Sequence, residues 1–194
     1  MSKPQNKFLP MVLSLTLITI VTSGLLAVVN ELTMEPIKAA KQQRVQNSLQ
    51  EILPAFDTVK DTVIGGNDVT IAYKDGDVAG YAITSSSNGY GGAFKIMVGY
   101  DATGKINDYA ILEQQETPGL GAKMVTWFKE SVPGRSCLDN LVVSKDGGDI
   151  DAITAATITS RAFLKAVNKA NNQALVILSG SEESNNPSVR HSER

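Results

Sequence analysis

The chain has 194 residues, of which 42% are hydrophobic and 20% charged, with a formal net charge of −2. This is the make-up of one folded domain with accessories, not of a disordered or collagen-like chain, and it lacks the basic footprint of a nucleic-acid binder. One cysteine and one histidine leave no room for an intrachain disulfide framework, a Cys-cluster iron–sulfur or metal site, a Ser–His–Asp triad or a multi-histidine centre.

After a short N-terminal segment over 1–7, the stretch Phe8–Asn30 carries no charge for 23 residues. As a helix it measures roughly 34 Å, enough to cross a hydrocarbon core of about 30 Å. A cleaved signal peptide would carry an apolar run of about 7–15 residues and a small-residue cleavage site. The run here is longer, and Asn-Glu-Leu-Thr-Met-Glu-Pro follows it, so an uncleaved transmembrane helix over 8–30 is expected. Lys3 and Lys7 precede the span, whereas Lys38, Lys41 and Arg44 follow it among Glu31 and Glu35. Charge therefore does not settle which side the body occupies.

A membrane-proximal helix and linker are expected over 31–60. Ile37, Ala40, Val45, Ser48, Leu49 and Ile52 recur at helical spacing, Pro36 suits a first turn, and Pro54 is a stop. The main body spans 61–178. Val69–Lys74 and Val78–Thr84 flank the hairpin signal Asp75-Gly76, and Phe94–Tyr100 and Lys105–Leu112 flank a second turn, Asp101–Gly104. Leu141–Val143 reads as a short strand, Ala122–Glu130 as a short helix and Ser160–Leu178 as an amphipathic helix. Residues 179–194 are polar and aperiodic and are expected to be a disordered tail. The predicted fold is α+β, an antiparallel sheet with flanking helices tethered by one N-terminal transmembrane helix.

Three loops concentrate residues suited to ligand binding. Asn88-Gly89-Tyr90-Gly91-Gly92 lets a ligand approach the backbone closely, or is simply a long hairpin connection. Glu116-Thr117-Pro118-Gly119-Leu120-Gly121 is a turn entering a helix, or a set of amides and a hydroxyl able to hold a planar polar ring. Asp151-Ala152-Ile153-Thr154-Ala155-Ala156-Thr157-Ile158-Thr159-Ser160 runs into the last helix. One hydroxyl suffices for a cap, yet four lie there, and a helix N-terminus also favours phosphate.

Asp151–Thr157 is similar to the Asp-x-x-(Ser/Thr)-Gly-Ala-(Thr/Ser) motif of FMN-binding domains flavinylated through a phosphoester bond. Glu116–Gly121 resembles the same family's Glu-Thr-Pro-Gly-Leu-Gly segment, and Asn88–Gly92 followed by Phe94–Gly104 its glycine-containing hairpin. Order and spacing agree over residues 1 to 178. The chain resembles the G-subunit family of Rnf-type ion-translocating electron transport complexes. The related C subunit of the sodium-translocating NADH:quinone reductase shares the motifs but is usually longer.

The resemblance implies FMN joined to the hydroxyl of Thr157, making the chain a phosphoprotein, installed by a flavin transferase with FAD as donor. It implies that Asp151 serves modification or loop shape and that Thr154 is a local hydrogen bonder. Ala155, Ala156, Ile158 and Thr159 would complete the phosphate loop. Glu116, Thr117, Pro118, Gly119, Leu120 and Gly121, with Tyr90, Gly91 and Gly92, would wall the isoalloxazine ring. Lys123 would meet the phosphate or the ring. No metal and no catalytic group beyond the flavin are implied. Ala155 stands where the motif has Gly; if its φ is positive the alanine costs on the order of 1 kcal/mol, and if the glycine serves only close approach the methyl is tolerated.

The implied role is electron relay in a membrane complex that passes electrons between reduced ferredoxin and NAD with Na⁺ or H⁺ transport. Partners would be the other membrane and iron–sulfur subunits, which hold the NAD and ferredoxin sites, the flavin transferase and membrane lipid. No Gly-x-Gly-x-x-Gly opens a helix after a strand here. The implied location is the inner (cytoplasmic) membrane, single-pass, with the globular domain on the periplasmic side. An anchored extracytoplasmic FMN-binding sensor or assembly module, the reductase C subunit and a purely structural bridge are the alternative readings. Trp127 and Phe128 read as core, and Cys137 as an ordinary small residue.

Overall fold

The computed structural model describes residues 8–64 and 67–185. The segment 1–7 and the last part of the expected tail, 186–194, lie outside the described residues. The chain divides into two units, Met1–Gln43 and Arg44–Arg194.

The first unit contains most of helix α1, which spans Phe8–Ile52. Two separate helices were expected, with Pro36 opening the second; instead Pro36 lies inside α1. A proline removes one backbone donor, but Glu31, Leu32, Met34, Lys38, Ala39 and Ala40 around it are helix formers that carry the helix past the defect. Leu13, Leu17, Leu25 and Leu26 are exposed, and the helix is long and apolar enough to cross a membrane by length and composition. The hydroxyls of Thr16, Thr19, Thr22 and Thr33 each donate to the carbonyl four residues back. Each polar side chain is thereby satisfied within the helix itself, as an apolar surrounding demands.

In the second unit, β1 (Thr58–Ile64), β2 (Asn67–Lys74), β3 (Asp77–Asn88), β4 (Ala93–Asp101) and β5 (Ile106–Glu113) form one sheet. Strand order is sequential and every pairing antiparallel. Both expected hairpins are present. Asp75 and Gly76 both have positive φ, 52° and 93°, as a two-residue hairpin with the strand twist requires. Strand β1 was not foreseen: its burial is mostly exposed, so Thr58-Val-Lys-Asp-Thr-Val-Ile carries little of the alternation that marks a half-buried strand.

The stretch read as helix over Ala122–Glu130 is a 3₁₀ turn, Gly121–Lys123, followed by one helical turn, α2 (Met124–Trp127). The expected strand Leu141–Val143 is reduced to one bridge, Val143 to Ile150. Here the backbone is committed to loop bonds: Ser144 and Gly148 donate to Ile150 and Val143. Helix α3 spans Thr157–Asn185; it starts earlier than expected and extends into the stretch read as tail.

Helix α3 covers one face of the sheet, where Phe163, Ala166, Val167, Ala170 and Ala174 join Tyr81, Ile83, Phe94, Ile96 and Val98 in the main core. Phe163 stacks on Phe128 at 4.5 Å and meets the Tyr109 ring edge-on at 4.9 Å. Tyr100 donates to Asn171 at 2.8 Å inside this core, and burial pushes the Tyr100 phenol well above its ordinary pKa. Cys137 is buried in the same cluster, and burial pushes its thiol up as well. The other face is covered by Leu49, Ile52 and Leu53, packed against Ala72, Ala82, Met97 and Leu112. Apolar layers on both faces explain why β4 is buried continuously from Ile96 to Tyr100 and does not alternate.

The end of α1 is held by three contacts: Arg44 donates to the Leu112 carbonyl at 3.1 Å, Asn107 to the Ile52 carbonyl at 2.8 Å, and Gly99 lies against that same carbonyl. A Cβ at position 99 would overlap the Ile52 oxygen, a backbone atom that cannot swing aside. Gly99→Ala is therefore expected to destabilise the fold by ~1–3 kcal/mol, read as a lowered midpoint of thermal unfolding in detergent.

Candidate functional site

The three loops singled out in the sequence meet around Glu116, whose side chain is buried. One carboxyl oxygen accepts from the Gly91 amide at 3.1 Å and the other from the Thr159 hydroxyl at 2.9 Å. The hairpin between β3 and β4, the turn after β5 and the start of α3 are thus tied to one side chain. The fit depends on missing side chains: a Cβ at Gly89 or Gly121 would overlap the carboxyl oxygens, and one at Gly91 the Gln115 carbonyl.

Beside this knot lies a cleft of ≈ 490 Å³, lined by Tyr90, Glu116, Thr117, Leu120, Gly121 and the run Ala155–Thr159. Of the residues expected at the site, these ten come together. Gly91 contributes through its bond to Glu116. Gly92, Pro118, Gly119, Thr154 and Lys123 do not line the cleft, and the last four are exposed. Asp151 also stands outside the lining. Its carboxyl accepts from Ser144 Oγ at 3.1 Å, and its carbonyl from Trp127 Nε1 at 2.9 Å. Trp127, which reads as core, is 41% exposed and braces this loop, whereas Phe128 is fully buried.

The floor of the cleft is the N-terminus of α3. Ala156 donates to the Ile153 carbonyl, the Ile153 amide donates to Ser160 Oγ at 2.9 Å, and Ser160 donates from its amide and its hydroxyl to the Ala156 carbonyl. Ser160 thus closes the turn, and the amides of Thr157, Ile158 and Thr159 belong to the first helical turn, which has no intrahelical acceptors. Turning the chain into this helix places Ala155 at φ 61°. That is the left-handed conformation, which glycine adopts freely, and in alanine it stores about 1–2 kcal/mol.

One basic side chain was missed in the sequence. Lys145, on the 3₁₀ turn Ser144–Asp146, has its Nζ 3.5 Å from Thr157 Oγ1. The turn is fixed to α3 by Arg161, which donates to both Asp146 oxygens at 2.6 and 2.7 Å. The hydrogen bonds from Arg161 hold the Asp146 carboxyl below its ordinary pKa. Nothing local marks Lys145, because its proximity to Thr157 comes from the tertiary path of the 144–150 loop.

The residues fit FMN. The cleft is within the usual range of small-molecule sites, about 300–1,000 Å³. Leu120, Ile158 and Tyr90, with relative exposures of 41%, 56% and 75%, supply apolar and aromatic surface for a planar ring. Free first-turn amides and an ammonium group beside a threonine hydroxyl suit a phosphate.

Two substitutions check this geometry. Glu116→Ala leaves the Gly91 amide and the Thr159 hydroxyl without their acceptor and is expected to cost about 2–4 kcal/mol. Glu116→Gln should cost less, since its amide still accepts from Gly91 while donating to Thr159; thermal unfolding of both variants decides. Ala155→Gly relieves the left-handed strain, offset in part by about 0.4–1 kcal/mol of unfolded-state entropy. It should leave the midpoint unchanged or raise it, whereas a glycine introduced at an ordinary loop position lowers it.

Comparison with known proteins agrees with the architecture. The family model for the FMN-binding domain matches residues 89–172, and that for the RnfG N-terminal region matches residues 11–52. The chain is 35% identical over 176 residues to the G subunit of the ion-translocating oxidoreductase complex of Vibrio vulnificus, covering 80% of this chain and 83% of that one. It is 33% identical over 184 residues to the G subunit of the proton-translocating ferredoxin:NAD(+) oxidoreductase complex of Clostridium ljungdahlii, covering 92% and 97%. Among solved structures, the C subunit of the Na(+)-translocating NADH-quinone reductase from Parabacteroides distasonis shares the fold, with TM-score 0.53 at 18% identity over 71% of this chain and 83% of that one. The chain belongs to the G-subunit family of ion-translocating oxidoreductase complexes, and residues 89–172 are its FMN-binding domain.

Proposed function

We propose that this chain relays electrons within an Rnf-type ferredoxin:NAD⁺ oxidoreductase complex through an FMN attached to Thr157 by a phosphoester bond. The observation that carries the reading is the position of Thr157: it lines the cleft, opens α3 and has Lys145 beside its hydroxyl. A bound FMN supplies redox chemistry in one- or two-electron steps. The protein supplies attachment, orientation and electrostatics.

In the attachment, Thr157 Oγ would take the flavin-side phosphoryl group of an FAD donor as the pyrophosphate P–O bond breaks, with AMP as the leaving group and the hydroxyl proton passing to solvent. A flavin transferase would direct that exchange, with Asp151 shaping the loop it must recognise. The amides that open α3 and the Lys145 ammonium then offset the charge remaining on the phosphodiester. Glu116 orients the Gly91 and Thr159 walls, and Leu120, Tyr90 and Ile158 give the ring its apolar surroundings. The remaining membrane and iron–sulfur subunits would exchange electrons with this site. With α1 as a single-pass anchor in the inner membrane, the body would stand on the periplasmic side, where a dissociable flavin would be lost to the medium.

The test uses the full chain in membranes that contain an active flavin transferase. After denaturing electrophoresis its band should fluoresce under ultraviolet light, and peptide mass analysis of Asp151–Arg161 should place an FMN-sized addition on Thr157. Thr157→Ser should keep the fluorescent band and Thr157→Ala should lose it. A dark parent band from such membranes, or a fluorescent Thr157→Ala band, would overturn the assignment. A dark band together with flavin released on denaturation would instead favour a non-covalent FMN module.

A further inference from the structure

A second groove, of ≈ 560 Å³, lies between α3 and the end of the β3–β4 hairpin. Its helical wall carries Ile158, Arg161, Ala162, Lys165 and Lys169, and its strand wall Ser86, Ser87, Asn88 and Ala93. Ile158 also lines the cleft described above, so the two depressions share a wall. Arg161, Lys165 and Lys169 recur every fourth residue and are exposed, a row of cations about 6 Å apart along the helix axis. Arg161 is engaged by Asp146, but Lys165 and Lys169 have no ion-pair partner among the described residues. No acidic residue lines the groove, although the chain as a whole carries a net charge of −2.

We propose that this groove docks a carboxylate-bearing segment of a neighbouring protein in the complex, bringing that partner against the edge of the cofactor cleft at Ile158. Charge complementarity sets the sign of the partner. The geometry sets its form: two unpaired cations about 6 Å apart along the helix, continuing the line of the Asp146-paired Arg161, match successive carboxylates of an extended segment better than one compact phosphate. The alanines and Ile158 give the groove apolar surface for the aliphatic parts of such a segment. Exposed charges of this kind act mainly on association rate and orientation and are weakened by salt, which suits a contact that positions two electron carriers. The location beside a flavin rests on the function proposed above; the docking itself does not.

The experiment uses native membranes holding the assembled complex with the full chain, treated with a zero-length carbodiimide that joins lysine amines to carboxyl groups. Mass analysis should find Lys165 or Lys169 linked through an amide to an Asp or Glu of another subunit. The charge-reversed variant Lys165→Glu/Lys169→Glu should reduce the other subunits recovered with the tagged chain by about tenfold at 0.15 M salt, the equivalent of ~1.4 kcal/mol. Its thermal midpoint and its fluorescent flavin band should match the parent. Neither lysine linked to another subunit, or recovery unchanged by the reversal, would overturn the proposal. Links solely to a second copy of this chain would overturn the choice of partner, and loss of the flavin band in the variant would assign the groove to the cofactor instead. A dark parent band with the links intact would refute the Thr157 assignment while leaving the docking surface standing.

Discussion

The site depends on one buried carboxyl group. Glu116 receives a backbone amide from 25 residues upstream and a hydroxyl from 43 residues downstream. Strands β4 and β5 link the first two loops, and this one side chain ties both of them to the start of α3. A buried acceptor that lost either donor would face a desolvation cost of the order of 1–3 kcal/mol, so the loops are coupled: displacing one unsatisfies the bonds of another. The glycines at 89 and 121 belong to the same constraint, since a methyl group at either would occupy the space of the carboxyl oxygens. The sequence motifs are therefore three parts of one hydrogen-bonded unit.

The second constraint is the register of α3. Phe163 is clamped between Phe128 and Tyr109, and Asn171 is bonded to Tyr100 and to the Asp139 carbonyl. These contacts fix the helix along its axis and thereby fix where its first turn opens. Thr157, Thr159 and Ser160 then fall into different environments although they lie within one turn. Ser160 is fully buried and closes the turn, Thr159 is fully buried against Glu116, and Thr157 is half-buried at the cleft. Four hydroxyls in a short run looked redundant for capping, and three of them have separate tasks. The positive φ of Ala155 is the strain accepted to enter the helix at that point, consistent with strained backbone gathering at functional sites.

Legibility in the sequence followed the range of the interactions. The two hairpins, the apolar anchor and the amphipathic face of α3 rest on local turn chemistry and periodicity, and they were readable. The glycine-rich loops were readable as candidate ligand contacts, but nothing in composition showed that Glu116 was their common partner. Strand β1 was missed because an edge strand with one weakly buried face loses its alternation. The continuity of α1 through Pro36 was missed because one proline was read as a boundary where most of its neighbours favour helix. Lys145 was illegible for a different reason: it reaches Thr157 through the Asp146–Arg161 pair and the Val143–Ile150 bridge, and both are tertiary.

The openness of the cleft bears on how its cofactor must be kept. Tyr90, Ile158 and Leu120 remain well exposed at its rim, so a ring held there would stay accessible to a partner. Electron exchange between subunits requires that access, yet it sacrifices the burial from which a dissociable ligand draws most of its affinity. Deepening the pocket would tighten binding and lengthen the distance to any partner. The proposed attachment through Thr157 would separate the two demands: retention would pass to a covalent bond at the phosphate end, and the ring end would be left shallow. On that reading the exposed rim of the cleft reflects the task of a relay, which must hold its carrier permanently and still present it at the surface.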